Sequence, residues 1–215
     1  MTQRGNRRQA TFFREFDFEL YRQLLADQCQ AAEVSLWAYC QLPNHVHLIL
    51  VPTTQAGLAK ALGGAHRRYT ATINRREGWR GCLWQGRFAS FAMDERHLHA
   101  AARYILLNPI RAGLVDRAVD WPHSSLRAHL GLKSDELVDM KGLGSRILDW
   151  PKFLLEGEAP SLFDRLRRHE ANGAPLGDEE FLVDLEERTG RKLRPDFGWF
   201  QGGQRGSRIT AHAVA

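Results

Sequence analysis

The stretch from Val34 to Pro52 leaves little choice of local structure. VSLWAYCQL and HVHLILVP are both rich in β-branched and aromatic residues, and only Pro43-Asn44 separates them, so the sequence predicts an antiparallel hairpin over 34–42 and 45–52. A hairpin alone is marginal in water and needs other elements to cover its apolar face. Phe16, Leu20, Leu24 and Leu25 recur at helical spacing within 14–32, which predicts an amphipathic helix. Residues 57–76 return to a helical period with an arginine-bearing face, interrupted by Gly63-Gly64. CLWQGRFASFAM at 82–93 has strand composition broken by Gly86, and Asp94 can cap a helix through ERHLHAAARYILL that Asn108-Pro109 stops.

The order helix, strand, strand, helix, strand, helix is that of a βαββαβ unit without its first strand. The expected fold class is therefore α+β: a ferredoxin-like antiparallel sheet with helices on one face, followed by a small helical C-terminal extension. The opening MTQRGNRRQ is too polar and too rich in Gly and Arg to read as a buried strand, so the first strand is expected to be missing, through an upstream start or decay of the copy. The expected organisation is a first domain over 1–131, a helical extension over 132–190 with helices near 149–170 and 178–189, and a mobile basic, Gly-rich tail over 191–215.

Composition excludes several classes. Hydrophobic residues at 43% and charged residues at 26% of the 215 argue against wholesale disorder. No apolar run approaches the roughly 18 residues a membrane span needs, and the basic N-terminus lacks a signal peptide's apolar stretch. Cys29, Cys40 and Cys82 are odd in number and widely spaced, which fits neither a disulfide framework nor a zinc ribbon; they read as buried apolar residues in a cytoplasmic protein. Lys plus Arg exceed Asp plus Glu by 30 to 25, mostly through arginine, whose planar fork suits phosphate oxygens. The excess points to nucleic acid without deciding it.

His45-Val46-His47 is the sharpest local feature. On a strand both imidazoles leave from one face and Val46 from the other, so two nitrogens converge as a divalent cation would require. Two ligands leave a site incomplete, and two half-exposed strand histidines are the alternative reading. Tyr104 and Asn108 stand at i and i+4, one turn apart on the last helix of the first domain. A phenolic oxygen can attack a phosphodiester when a metal ion withdraws charge from the phosphate, and Asn108 offers a carbonyl oxygen to the metal shell. Each has a bland reading too, Tyr104 as a packing residue and Asn108 as a helix stop. His97 and His99, two apart on a helix, should diverge.

PNHVHLILV, LWQGRF, RYILLNPIRAGLV and DWPHSS, in this order, resemble the HUH single-tyrosine transposases of the IS200-like superfamily, in particular the REP-associated (RAYT) branch. The resemblance covers about residues 4–130, and NGAPLGDEEFLVDLEERTGRKLRP resembles the extension of that branch. It implies a metal-dependent, site-specific single-stranded DNA endonuclease and strand transferase that acts on hairpin-forming repeats. His45, His47 and Asn108 would hold Mg²⁺ or Mn²⁺, and Tyr104 would form a 5′-phosphotyrosine. The implied partner is single-stranded or hairpin DNA, without a membrane, for a monomer or homodimer in the nucleoid-associated cytoplasm.

Arg4, Arg7 and Arg8 form a basic arm for the foot of the hairpin, while Arg67, Arg68, Arg75, Arg76 and Arg87 are candidates for lining a DNA path. Trp84 and Phe88 could stack bases but read better as core. A non-cleaving repeat-DNA-binding protein of transposase descent is the rival, and a phosphodiesterase using the histidines with Glu95 and a water is a third reading. The extension shows no ligand-like cluster and is expected to add DNA affinity without chemistry.

Overall fold

The computed structural model describes residues 1–156 and 160–193, so the expected tail beyond Leu193 lies outside the described residues. The hairpin forms over the expected residues, β2 at Val34–Leu42 and β3 at His45–Pro52. It is paired antiparallel from Leu42–His45 at the turn to Val34–Pro52 at the open end. A bulge between Leu36 and Ala38 shifts the register, so Leu36 faces one core and Ala38 the other.

The first strand is present, contrary to the expectation from hydropathy. β1 is Thr2–Arg4, and it pairs antiparallel with β3 in the register Thr2 to His47 and Arg4 to His45. Its other edge bonds to the segment over 84–89: Thr2 and Ala89 exchange both backbone hydrogen bonds at 2.8 and 2.9 Å, and Gln85 N–H donates to Arg4 O at 2.8 Å. Segment 84–89, β1, β3 and β2 therefore lie side by side in that order, as a βαββαβ sheet requires. The polar side chains of β1 bond within the sheet, Thr2 Oγ1 with His47 Nδ1 at 2.8 Å and Gln3 Nε2 to Gly86 O at 3.4 Å. Residues 82–93 make isolated bridges, from Trp84 to Gly5 and from Ala89 to Thr2, rather than a continuous strand. DWPHSS lies along the outer edge of β2, where Gln41 N–H donates to His123 O and Ser125 N–H to Tyr39 O, so that edge is covered.

Helices occupy both faces, which corrects the expectation of a single covered face. α1 (Glu15–Ala31) and α2 (Gly57–Glu77) pack on the Val46 and Leu48 side, with Phe12, Tyr21, Leu25, Leu62 and Tyr69 buried. Gly64 permits the close crossing of these helices, because a Cβ there would collide with the Gln28 side chain on α1. α3 (Glu95–Leu106), capped by the Asp94 side chain on His97 N–H, covers the opposite face, where Ala38, Cys40, Leu42 and Ile49 meet Leu98, Ala102 and Ile105. Short helices follow: α4 (Asn108–Arg111), α5 (Leu126–His129) and α6 (Met140–Gly144).

α7 (Trp150–Leu155) and α8 (Pro160–Asn172) divide the span expected as one helix, Pro160 being tolerated at a helix start where its missing N–H is no loss. α9 is Glu179–Thr189. Leu143, Trp150, Phe153, Leu162 and Leu166 of this region share the core of α3 and the sheet. Among the described residues no helix is long and apolar enough to cross a membrane. Cys29 and Cys40 are buried as expected, and Cys82 is exposed.

At the mouth of the α1–α2 core, Asp17 is fully buried and bonded to the Arg76 guanidinium and to the Phe13 and Arg14 amides. Burial opposes its charge, but these donors prevail and hold the carboxyl below its ordinary range. Arg76 is thereby committed to the protein rather than to a DNA path. Arg76→Ala strands a buried carboxylate and is expected to cost about 3 kcal/mol or more in urea-denaturation stability, whereas Arg75→Ala on the exposed face should cost little.

Candidate active site

The alternation of β3 sends His45, His47 and Ile49 to the α3 side, and β1 contributes Thr2 and Arg4 to the same side through its register. The two imidazole rings stand 4.9 Å apart, centroid to centroid, at 83°. Tyr104, on α3, presents its ring to His47 at 5.7 Å and 90°. A cavity of about 30 Å³, room for roughly one water, opens between His47, Tyr104, Thr2 and Glu170.

Burial pushes His45 down to about 4, with a further contribution from Arg4, and burial with His45 beside it holds His47 well below its ordinary value. Both rings are therefore neutral near pH 7, the form that can ligate a metal. Each Nδ1 is engaged, His47 with Thr2 Oγ1 at 2.8 Å and His45 with Asn44 Oδ1 at 2.6 Å. Within the described residues neither Nε2 makes a hydrogen bond to protein, so the donor chemistry fits a divalent cation at the Nε2 edge. No group of three His, Cys, Asp or Glu side chains among the described residues comes together to hold an ion. Glu170 of α8 has an oxygen 3.7 Å from His47, but the contact is to Nδ1, the edge away from that site. With His47 neutral it is no ion pair, and Glu170 Oε1 is buried without a hydrogen-bond partner.

The expected third ligand is placed differently from the helical-wheel reading. α3 ends at Leu106, Leu107 has φ −92° and ψ 2°, and Asn108 opens the separate α4. Its side chain is buried, and among the described residues it has no hydrogen bond to Tyr104 or to either histidine. His97 and His99 diverge as expected: His97 Nδ1 meets Asp94 at 2.6 Å and His99 Nδ1 the Glu95 carbonyl at 2.8 Å. Glu95 pairs with Arg146, away from the histidines. Trp84 and Phe88 belong to the α1–α2 core.

The family model for IS200-like transposases matches residues 2–108, a span that includes β1, both histidines and Tyr104. Residues 2–108 are an IS200-like transposase domain. A REP-associated tyrosine transposase of Haemophilus influenzae is 26% identical over 126 residues, covering 54% of this chain and 70% of that protein. The solved structure of a REP-associated tyrosine transposase bound to a REP hairpin is 18% identical, with a TM-score of 0.48, and covers 64% of this chain and 88% of that one.

Residues without a role in the sequence motifs surround Tyr104. Arg111 donates to the Tyr104 carbonyl, and its guanidinium lies 4.2 Å over the Tyr104 ring. Phe163 of α8 packs at 5.5 Å, and the Arg167 guanidinium, which the neighbouring Tyr104 hydroxyl holds above its ordinary range, lies 5.9 Å over the same ring. The extension thus packs against the site. Nothing in the hydropathy of 160–172 signals this contact, although Arg111 belongs to the motif that carries Tyr104. Among the candidate DNA contacts, Arg7, Arg8, Arg67, Arg68, Arg75 and Arg87 are exposed, and Arg4 stands beside His45. Arg7 and Arg8 adopt φ of 54° and 60°, a region unusual for non-glycine residues that a tight turn at the arm imposes.

Two other buried histidines make the stability of the chain pH-dependent. Burial holds His66 and His129 at about 4. Between that value and the unfolded value near 6.5 the unfolded chain binds the extra protons, so stability present at pH 7 is lost as pH falls through 6.5 toward 4. The loss at pH 5 should be on the order of 2 kcal/mol for each ring. Thermal midpoints that are lower at pH 5 than at pH 7.5, with the difference reduced in His66→Gln, are expected.

Proposed function

We propose that this chain nicks and rejoins single-stranded DNA at hairpin-forming repeats, with Tyr104 as nucleophile and Mg²⁺ or Mn²⁺ held at the His45 and His47 Nε2 atoms. The observation that carries the reading is the perpendicular packing of Tyr104 against His47 on a face that also presents His45. The ion would withdraw charge from the scissile phosphate. The Tyr104 oxygen forms a bond to phosphorus as the bond to the 3′ oxygen breaks; the phenol proton leaves to solvent, and the departing 3′ oxygen takes one up. The 5′-phosphotyrosine conserves the broken ester for rejoining, so no high-energy cofactor is required. Because Tyr104 meets His47 of its own chain, the reading needs only one subunit. Asn108 would have to turn toward the histidines to join the ion, and a water could take that position instead.

The choice of substrate draws on the relatives, which are named for REP sequences, one of them bound to a REP hairpin. Exposed Arg7, Arg8, Arg67 and Arg87 would hold phosphates without reading bases. The test is incubation with an oligonucleotide carrying the host's own repeat hairpin and Mn²⁺ or Mg²⁺, followed by denaturing electrophoresis. A covalent protein–DNA band supports the reading, and cleavage without one favours attack by water. The packing of Phe163, Arg111 and Arg167 around Tyr104 favours a second reading, a binder that does not cut, for which tight hairpin binding without any strand break is the expected result.

A further inference from the structure

We infer that Asn44 is a positioning residue that fixes which nitrogen His45 offers to the site and ties that ring to the basic turn at Arg7 and Arg8. The inference rests on the reading of His45 as a metal ligand, but the tautomer it concerns can be observed without any ion. Asn44 sits in the two-residue turn between β2 and β3, and its amide is engaged at both ends. Nδ2 donates to the Arg8 carbonyl at 3.0 Å, and Oδ1 lies 2.6 Å from His45 Nδ1.

Chemistry sets the orientation of this amide. A peptide carbonyl only accepts, so the atom facing Arg8 must be the nitrogen, which leaves the amide oxygen facing the ring. That oxygen also only accepts, so His45 Nδ1 must carry the hydrogen. A neutral imidazole has one N–H, and its Nε2 therefore keeps the lone pair that ligates a cation. Thr2 cannot impose the same choice on His47, because a hydroxyl both donates and accepts across its 2.8 Å contact.

The same residue anchors the arm. The Asn44 carbonyl accepts from Gly5 N–H at 2.8 Å while its side chain holds Arg8, so main chain and side chain together seat the turn in which Arg7 and Arg8 take positive φ. Placement of the arginines and orientation of His45 depend on one side chain. A turn former chosen only for backbone shape would leave its amide to solvent.

The tautomer of His45 in the full chain, without metal or DNA, is read by nitrogen-15 NMR of histidine-labelled protein at neutral pH, with the signal assigned through His45→Gln. The wild type is expected to show Nδ1–H. Asn44→Leu removes the acceptor and is expected to lose that single tautomer and to weaken Mn²⁺ binding, measured by calorimetry, by roughly 10- to 100-fold. Asn44→Asp keeps an acceptor and is expected to retain Nδ1–H. An Nε2–H wild type, or Nδ1–H persisting in Asn44→Leu, overturns the inference. Should Asn44→Leu fail to fold, Asn44→Asp decides, since loss of Nδ1–H there also overturns it. If the tautomers behave as stated and the wild type binds no Mn²⁺, the metal reading fails and the positioning role stands.

Discussion

Tyr104→Phe should abolish the covalent protein–DNA adduct while leaving hairpin affinity close to wild type. The substitution deletes one oxygen and keeps the ring that packs against His47 and Phe163 and lies under Arg111. The loss should exceed 10³-fold, because the attacking oxygen itself is removed and an alternative attack by water would have to assemble its own base. Denaturing electrophoresis with end-labelled hairpin DNA measures the adduct, and a binding titration run alongside measures affinity. Strand cleavage by the Phe variant at the wild-type rate would assign the attack to water. A parallel loss of binding would mean instead that the phenol oxygen serves the fold or the DNA grip.

Removal of either strand histidine should have an effect of similar size. His45→Ala and His47→Ala each take one nitrogen from a pair that supplies both protein ligands proposed for the cation, so metal-dependent cleavage should fall below detection and calorimetry should show weakened Mn²⁺ binding. His99→Ala is the matched control: its ring hydrogen-bonds the Glu95 carbonyl on the far part of α3, and cleavage should be unchanged. His97→Ala should cost stability, since that ring is buried against the capping carboxylate of Asp94, yet its folded fraction should still cleave. An essential His99 with a dispensable His47 would remove the assignment of the site. His47→Ala also opens a space beside Thr2, so folding is checked by thermal melting before activity is compared.

Periodicity carried most of what was legible in the chain. The hairpin, α1, α2, α3 and the Asp94 cap lie where the spacing of apolar residues and the turn and capping residues predict them, because those signals are local. The same local logic placed His45 and His47 on one face, since the period of a strand is two. β1 was hidden for a physical reason: a three-residue strand held by backbone pairing on both edges, with Thr2 bonded to His47 at the site, has no need of the apolar residues by which buried strands are recognised. Arg76 was equally unreadable, because a buried carboxylate 59 positions away decides whether an arginine faces solvent.

Sequence by itself determined the hairpin and the helices that pack on it, the family motifs and the pairing of the histidines, all of which depend on neighbours along the chain. Tertiary structure alone decided that Tyr104 meets His47, that Asn108 does not, that Asn44 clamps His45 to the basic turn, and that α8 reaches the site with Phe163, Arg167 and Glu170. These contacts depend on the angles at which helices cross a sheet and on where an unpaired strand edge is filled. Such quantities are set by packing between residues far apart in the chain, and no local pattern encodes them.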